Sequence, residues 1–467
     1  MKQLHIALLF EAHQPIRLKR LNESLPPMIP DNIDEIFDYY TNDLVLDRVS
    51  ERTYRNATKI IKNSIKELKE YKVNFSISGI LLEQLNKKHK DIIDIFKEIG
   101  ESDNVEFISQ TYYHSLAWFI DKREFYDQIK MDSDIIKEIF GYKPRAAENT
   151  EFIYNNDIGC FLKDIGFDTV VTEGVDYILN GRSPNYLYYN PQCNNKVVLR
   201  NYRLSDDIGF RFSNRNWDQY PLTAEKYATW INETPGDFVF VAIDYETFGE
   251  HHNPSTGIYN FLEWLPREII KRKIGFLNIS EIKDKFSAKD SYDVPPWNTI
   301  SWADERDLSA WLGNEMQKES FNLLRKLYYY SKPFNNILET YRKLTISDHL
   351  YYIAKKYGPT GEVHNYFNPQ GNAEKAFQAY TMALTLLQLK TKNEIEEKIC
   401  EFLKNVDLPS ELCFYFKEYK ACSFREFLKI KETNPLLIKE YENELKTWLK
   451  DIFMVNNLDE ITNYCNL

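Results

Sequence analysis

Several features that mark other classes of protein are missing from this sequence. Its 467 residues contain only 16 glycines and 18 prolines, too few for low-complexity tracts or flexible linkers. No run of about 18 consecutive apolar residues occurs, so we expect no membrane-spanning helix. The net charge is −11 and there is no basic block, which argues against nucleic acid and against an anionic membrane surface as partners. A soluble globular protein of two or three structural units is the expectation that remains.

Cysteine is also sparse. The six residues show no CxxC pair and no other metal-ligand spacing, so we expect buried free thiols in a reducing compartment. The apolar segment 4–10 is too short for a signal peptide and has no small-residue cleavage site after it. We therefore predict a cytoplasmic protein. The cysteines are Cys160, Cys193, Cys400, Cys413, Cys422 and Cys465.

Aromatic residues, in contrast, are abundant. They make up 15% of the chain, with 32 tyrosines, 29 phenylalanines and 8 tryptophans. Such an excess suits stacking on an uncharged ring-shaped ligand such as a sugar. A tyrosine-rich core explains it equally well, and composition does not decide between the two.

The pattern along the chain predicts an α/β region followed by a helical one. Short apolar runs alternate with helical patterns over the first 290 residues or so, which indicates βα units and a parallel sheet, closed as a barrel or open. After the two prolines at 295 and 296 the pattern is almost entirely helical. We predict domains at 1–293 and 294–467. The predicted strands are 4–10, 73–80, 105–109, 169–172, 197–200 and 238–243; the predicted helices are 57–71, 122–140, 156–165, 258–273, 308–330, 334–356, 371–389, 394–405 and 438–453.

Residues that could do chemistry follow several of the predicted strands. Asp244 and Glu246 directly follow an apolar run, and the two-residue period of a strand places both on one side of the chain. His13 follows the first strand. Glu106, His114, Glu148 and Glu151 extend the series. A surface-facing strand end is the alternative for the acidic pair, and a buried structural histidine is the alternative for His13. Because adjacent residues of a strand point apart, we do not expect His251 and His252 to share a metal ion.

Paired carboxylates without a phosphate-binding glycine loop match the cleavage of glycosidic bonds. One carboxylate attacks the anomeric carbon, while a second, kept protonated by its surroundings, donates to the leaving oxygen. For direct attack the two groups stand about 5–5.5 Å apart, and with a water between them they stand wider apart.

The sequence segments that contain these residues, taken together and in their order along the chain, resemble the motifs of glycoside hydrolase family 57, most closely those of its α-amylase branch. The similar segments are His13-Gln14-Pro15, residues 105–116 (VEFISQTYYHSL), 148–151 (ENTE), 244–249 (DYETFG) and 301–304 (SWAD) continued through 307–314 (DLSAWLGN), with 201–207 (NYRLSDD) as a further hallmark of the branch. Two positions depart from the pattern: Glu11 stands where some members have a histidine, and Gln110 stands where an acid is common.

The resemblance implies a distorted (β/α)₇ barrel, followed by a helical bundle domain that contributes to the active-site cleft. It also implies a retaining hydrolase of α-1,4-glucans, with Glu151 as nucleophile and Asp244 as general acid/base, without a metal or other cofactor. The implied substrate-binding residues are His13, Glu106, His114, Glu246, Trp302, Asp307 and Trp311. Three alternatives stay open: a 4-α-glucanotransferase or branching enzyme with the same pair, a glucan-binding protein without turnover, and a metal-dependent carbohydrate deacetylase.

Overall fold

The computed structural model describes residues 3–20, 28–356 and 367–465, and the chain forms two compact units. One, the barrel unit, comprises Met1–Arg17, Asp38–Gln317 and Thr345–Ala373. The other, the helical unit, comprises Leu18–Phe37, Lys318–Leu344 and Glu374–Leu467. The chain passes between the two units several times. The sequence pattern had suggested a single boundary near residue 294.

Seven strands of the barrel unit form a closed ring. Strand β1 pairs in parallel with β2 and β7, β2 pairs with β3, β4 with β5, and β5 with β6. A few backbone contacts close the two remaining gaps: Ser109 bridges to Ala147 between β3 and β4, and the Asn201 N–H donates to Phe240 O between β6 and β7 at 2.8 Å. The predicted (β/α)₇ barrel is confirmed. The strands are β1 His5–Ala12, β2 Val73–Ile77, β3 Val105–Ile108, β4 Ala146–Ala147, β5 Thr169–Glu173, β6 Lys196–Arg200 and β7 Phe238–Asp244.

Helices connect these strands. The short strand Gly275–Phe276 pairs with β1, and Tyr188–Tyr189 pairs with β6 and with Asp290–Ser291. The helices up to residue 312 are Tyr39–Val49, the π-helix Ser50–Arg55, Asn56–Glu67, Gly79–Lys88, Lys90–Gly100, Ala117–Ile120, Lys122–Phe140, Asn156–Asp164, Asp176–Leu179, Tyr202–Gly209, Ala224–Glu233, Ile258–Lys271, Ile279–Lys285 and Ser309–Leu312, with 3₁₀ turns at Ile33–Ile36, Thr150–Phe152, Tyr245–Thr247, Pro254–Thr256 and Pro296–Asn298.

The C-terminal region is helical, as predicted, with one antiparallel hairpin formed by Phe414–Phe416 and Tyr419–Ala421. Two of the predicted helices are interrupted. The first breaks at residues 313–314, and the second breaks at 345–346, before a short helix at Ser347–Tyr351. The helices here are Glu315–Ser331, Asn335–Leu344, Ser347–Tyr351, Ala373–Glu397, Ile399–Asn405, Phe424–Thr433, Pro435–Glu440, Glu442–Phe453 and Leu458–Cys465, with a 3₁₀ turn at Ser410–Leu412.

The strands bury both faces. On β1, Ile6, Leu8 and Phe10 pack in a core that includes the surrounding helices, while Ala7 and Leu9 belong to a second cluster shared by most of the strands, which is the barrel interior. On each strand, a polar side chain follows two residues after the last position that points into the barrel interior. These seven residues, here called the polar layer, are Glu11, Ser76, Gln110, Glu148, Glu173, Arg200 and Asp244.

The expectation of free thiols is wrong. All six cysteines are paired, as Cys160–Cys193, Cys400–Cys465 and Cys413–Cys422. Folding brings Cα atoms that are 33, 65 and 9 residues apart in sequence to within 5.6, 5.1 and 4.3 Å of each other, distances that suit a disulfide. Sequence spacing gave no sign of this pairing because the tertiary fold creates the proximity. Within the described ranges, no helix is both long and apolar enough to cross a membrane.

Candidate active site

Hydrogen bonds and ion pairs link members of the polar layer at the carboxyl ends of the strands. Gln110 Nε2 donates to Ser76 Oγ at 2.9 Å, and Ser76 Oγ donates to Glu148 Oε1 at 2.7 Å. Arg200 Nη1 donates to Glu173 Oε2 at 2.8 Å across two neighbouring strands. Active sites of barrel enzymes lie at this end of the strands.

Glu151 lies in the 3₁₀ turn that follows β4, and three side chains fix its carboxylate. Trp302 Nε1 donates to Oε2 at 2.7 Å, Ser347 Oγ donates to Oε1 at 3.1 Å, and His114 Nε2 lies 3.3 Å from Oε1. The backbone is left-handed at Glu151 (φ 60°) and at the next residue, Phe152 (φ 54°). Each such residue costs about 1–3 kcal/mol. The side chain is 16% exposed, so the anion is held by donors and yet is accessible.

Asp244 ends β7, beside Glu11 of β1 in the strand register. Burial raises the pKa of Asp244 and the charge of Glu151 adds to this rise, although His251, Arg200 and His114 oppose it. The structure thus brings the two predicted catalytic carboxyls into electrostatic contact. Asp244 keeps its proton to higher pH than an exposed aspartate does, as a general acid requires.

Three further carboxyls surround this pair. Burial and the charge of Asp244 raise the pKa of Glu246 to about 8, and the Tyr54 hydroxyl donates to Glu246. Burial, with the charges of Glu151 and Asp244, raises the pKa of Glu148 to about 8. For Glu11, burial and the charges of the other four carboxyls raise the pKa well above its usual value.

Glu11 was not predicted as a site residue, and Glu148 was named among the candidate residues without a role. The sequence contains a usable signal for Glu11, because it continues the two-residue alternation of a buried strand by one step, whereas the two-residue strand before Glu148 gives no such signal.

Two stacked histidines adjoin the acids, and their rings are 4.2 Å apart between centroids. His13 Nδ1 lies 2.8 Å from Ser78 Oγ, and its Nε2 lies 3.2 Å from Asp348 Oδ2. Burial and the neighbouring His114 lower the pKa of His13 to about 4, so this ring is neutral at pH 7.

His114 carries the opposite shift. Its Nδ1 lies 2.7 Å from Gln110 Oε1, and its Nε2 faces Glu151. Burial lowers the pKa of His114, but the hydrogen bond and charge of Glu151, together with the charges of Asp348 and Glu148, outweigh burial and leave it raised. A protonated ring has a donor for each of these two acceptors.

Ser347 and Asp348 were not predicted as site residues, since they fall inside the predicted helix 334–356. Ser and Asp in the middle of a helical pattern are typical of a helix start, and a new helix does begin at Ser347. That signal locates the break but not the position of the segment in the site.

The other predicted residues divide into two groups. Trp302 joins the cluster: besides its bond to Glu151, its ring stacks on Phe152 with centroids 4.9 Å apart. Trp311 is buried, with its ring 6.4 Å from that of Tyr351. Asp307 is exposed, and its Oδ1 accepts from the Ser309 N–H at 2.7 Å, at the start of a helix.

Glu106 lies apart from the cluster. It is buried, its Oε2 accepts the Ser280 N–H at 2.9 Å, and its Oε1 is 4.0 Å from Arg145 Nε. This is the amino end of the barrel, where Ile279–Lys285 packs. The structure thus gathers Glu151, Asp244, Glu246, His13, His114 and Trp302, and places Glu106, Asp307 and Trp311 in structural contacts.

A metal centre is an alternative use for clustered acids and histidines. In the part of the chain that the structure describes, no three or more His, Cys, Asp or Glu side chains are arranged to hold a metal ion.

Comparison with known proteins gives a consistent picture. The family model "Glycosyl hydrolase family 57" matches residues 7–295. A protein of Methanocaldococcus jannaschii named "Putative alpha-amylase" is 43% identical over 392 residues, which cover 81% of this chain and 82% of that protein. An "Alpha-amylase" of Pyrococcus horikoshii is 23% identical over 301 residues, which cover 63% of this chain but only 45% of the relative.

Solved structures share the fold at low identity. The 4-alpha-glucanotransferase of Thermococcus litoralis superposes with a TM-score of 0.58 at 17% identity, covering 82% of this chain and 60% of that one. A branching enzyme of Pyrococcus horikoshii gives 0.54 at 14% identity, covering 85% and 94%.

Proposed function

Because the chain belongs to glycosyl hydrolase family 57, we propose that it is a retaining hydrolase of α-1,4-glucans that acts through a covalent glycosyl-enzyme intermediate. The observation that carries this proposal is the asymmetry of its two central carboxyls. Glu151 is surrounded by donors, which suits an anionic nucleophile, and Asp244 has a raised pKa, which suits a general acid. The substrate class comes from the named relatives, two of which carry the name of an α-amylase.

The reaction proceeds in two steps. Asp244 donates its proton to the glycosidic oxygen while Glu151 attacks the anomeric carbon, so that the leaving sugar departs with that proton. Asp244, now ionised, takes a proton from a water molecule as that water attacks the anomeric carbon, and the bond between the sugar and Glu151 breaks. Two inversions retain the anomeric configuration. His13, His114, Glu246 and Trp302 are proposed to hold the sugar ring or the nucleophile.

The test is the anomer that soluble starch or maltoheptaose releases first. Proton NMR within the first turnovers should show α-anomeric reducing ends, before mutarotation mixes the two forms. A first product in the β form would require a single displacement and would rule out Glu151 as nucleophile.

Glucan transfer is the second candidate. A relative of Thermococcus litoralis named "4-alpha-glucanotransferase" is 24% identical over 252 residues, which cover 53% of this chain and 38% of that protein. If an acceptor sugar replaces water in the second step, the same intermediate gives transfer. Maltotriose separates the two activities: a hydrolase yields shorter sugars and new reducing ends, whereas a transferase yields longer chains with no net gain of reducing ends.

Cellular location is part of the proposal too. We expected a cytoplasmic protein because free thiols were predicted and because segment 4–10 does not resemble a signal peptide; the three disulfides remove the first of these supports. Disulfides persist in oxidising compartments and also in intracellular proteins of hyperthermophiles. Cell fractionation, with alkylation of free thiols before lysis, tests both the location and the pairing.

A further inference from the structure

The loop that carries Trp302 has no regular secondary structure. Residues 301–308, just before the helix Ser309–Leu312, form only bends, turns and irregular backbone. Trp302 nevertheless contacts Glu151 twice: its backbone N–H donates to Glu151 O at 3.1 Å, and its indole N–H donates to the carboxylate. How well the indole fixes that carboxylate therefore depends on what holds this loop in place.

Arg306 joins the loop to the barrel. Its Nη1 donates to Trp302 O at 2.6 Å and to Glu173 Oε2 at 2.9 Å. Glu173 ends strand β5, belongs to the polar layer and has no exposed side-chain surface, so this end of the bridge is fixed in the ring of strands. One guanidinium group thus connects the backbone of Trp302 to the barrel, and it stays protonated at every pH at which proteins fold.

The backbone at Arg306 is left-handed, with φ at 60°. Its N–H donates to Ala303 O at 2.8 Å and closes a tight turn. A residue with a side chain seldom adopts this conformation, which persists where surrounding contacts enforce it. The contacts of the Arg306 side chain with Trp302 and Glu173 are of this kind.

A second arginine completes a balanced cluster. Arg200 donates to Glu173 and, through Nη2, to Asp206 Oδ1 at 2.7 Å. Arg306 Nη2 lies 3.8 Å from Asp206 Oδ2. Two guanidinium groups thus face two carboxyl groups, so neither arginine is left as an unpaired charge in this largely buried place.

We propose that Arg306 is a positioning residue that, by joining the Trp302 carbonyl to Glu173, holds the Trp302 indole on the carboxylate of Glu151. The inference rests on the proposed function, in which Glu151 is the nucleophile. An indole held in one place keeps the carboxylate aimed at the anomeric carbon, and a misplacement of about 1 Å can lower a rate about 100-fold. Arg306 acts in this way without touching the sugar.

The experiment is a double-mutant cycle between Arg306→Gln and Trp302→Phe. Arg306→Gln should lower kcat on maltoheptaose about 10-fold with little change in KM, because the nucleophile is misplaced while sugar binding is not affected. In the Trp302→Phe background the same change should lower kcat less than about twofold, because the contact through which Arg306 acts is already missing.

The matched control is Arg203→Gln. Arg203 lies over the Tyr202 ring, as Arg306 does, and it also pairs with an acid, Asp176. Its side chain is 73% exposed and its partners lie outside the 301–308 loop, so kcat and KM of this variant should equal those of the wild type.

A second substrate shows which group is affected. α-Maltosyl fluoride releases fluoride, which needs no strong proton donor, so its cleavage depends on Glu151 far more than on Asp244. The loss caused by Arg306→Gln should therefore be as large on the fluoride as on maltoheptaose. A loss that disappears on the fluoride would mean that Arg306 acts on proton transfer by Asp244, and it would overturn the inference.

Two outcomes of the cycle would also overturn it. If Arg306→Gln keeps the wild-type kcat, or if its loss multiplies independently with that of Trp302→Phe, Arg306 does not act through Trp302. If Arg306→Gln does not fold, Arg306→Lys takes its place in the cycle. Lysine keeps the charge beside Glu173 but lacks the planar fork that serves two acceptors, and the same dependence on Trp302 is expected.

An NMR measurement separates this inference from the proposed function. In protein with isotope-labelled tryptophan, the Trp302 indole N–H resonance is the one lost in Trp302→Phe. Glu151→Gln should shift this resonance in the otherwise wild-type chain, because the acceptor loses its charge, and should shift it far less when combined with Arg306→Gln. Equal shifts would overturn the inference. If the wild type neither cleaves nor transfers glucans, the proposed function is wrong, and this resonance alone decides whether Arg306 holds the indole.

Discussion

The two ends of the barrel strands carry similar buried polar side chains and differ in how those side chains are satisfied. At the amino end, Asn74 donates to Leu8 O at 2.9 Å and accepts the Ile279 N–H at 2.9 Å, and Glu106 accepts the Ser280 N–H. At the carboxyl end, five carboxyls crowd together, and their charges add to the burial that raises the pKa values of Glu11, Glu148, Asp244 and Glu246.

Backbone strain does not separate the two ends. Positive φ occurs at His114, Glu151 and Phe152 at the carboxyl end, and also at Asn194 and Lys273, which precede strands at the amino end. Polar groups that the backbone satisfies close the barrel at the amino end, whereas clustered like charges persist only where the surrounding structure enforces them. A buried acid is therefore a weak indicator of function until its hydrogen-bonding and charged neighbours are known.

The largest effect is expected at the carboxyl end. Glu151→Gln and Asp244→Asn should each lower kcat on the order of 10⁴-fold, because each removes a group that takes part in bond making or breaking. Asp244→Asn should leave stability unchanged, because it replaces a carboxyl that keeps its proton by a neutral amide of the same size. Glu151→Gln should lower stability somewhat, because the hydrogen bonds from Trp302 and Ser347 lose their charged acceptor. Kinetics on maltoheptaose and thermal melting check both statements, and retention of wild-type kcat in either variant would contradict the assignment.

A smaller loss is expected when Glu151 keeps its charge but loses a donor. Trp302→Phe preserves stacking on Phe152 and removes the indole N–H, a charged hydrogen bond of about 1.5–3 kcal/mol. The kcat should fall about 10- to 100-fold with little change in KM. Trp311→Phe is the control, since it alters a buried ring without touching Glu151, and it should lower the melting temperature without a comparable loss of kcat.

At the amino end the expected effect is on stability alone. Asn74→Ala leaves the Ile279 N–H without its acceptor and should reduce the free energy of unfolding by about 1–3 kcal/mol. Glu106→Gln should keep kcat and KM near wild type. Urea unfolding and steady-state kinetics measure the two effects, and a large rise in KM for Glu106→Gln would break the distinction between the ends.

The last expected effect is a pH dependence of stability. The folded pKa of Glu148 is about 8 against an unfolded value of 4.5, so between these limits the folded state holds a proton that the unfolded state has lost. The free energy of unfolding therefore decreases as pH rises from 4.5 to 8, by at most about 1.4 kcal/mol per pH unit from this group. Glu148→Gln should flatten that slope in urea titrations at several pH values, and an unchanged slope would show that Glu148 does not carry it.

The sequence predicted much of the barrel and of its central pair. Runs rich in β-branched and aromatic residues, such as 238–243, identify strands, and Asp244 directly follows one of them. The motif around Glu151 identifies the acid by resemblance alone. Strand β4 was missed because two residues have no detectable period. The positions of Glu106 and Asp348 depend on strand register and on a returning segment, and such long-range contacts leave no local pattern.

The segment 346–348, which comes back to the barrel from far along the chain, also constrains the order in which the protein is made. Ser347 and Asp348 emerge from the ribosome long after β1–β7, so the nascent barrel has its strands before it has the side chains that hold Glu151 and His13. A product of premature termination near residue 317 contains all seven strands of the ring but lacks the side chains that contact Glu151 and His13. Under the proposed mechanism, activity therefore requires synthesis to pass Thr345–Ala373, the last segment of the barrel unit.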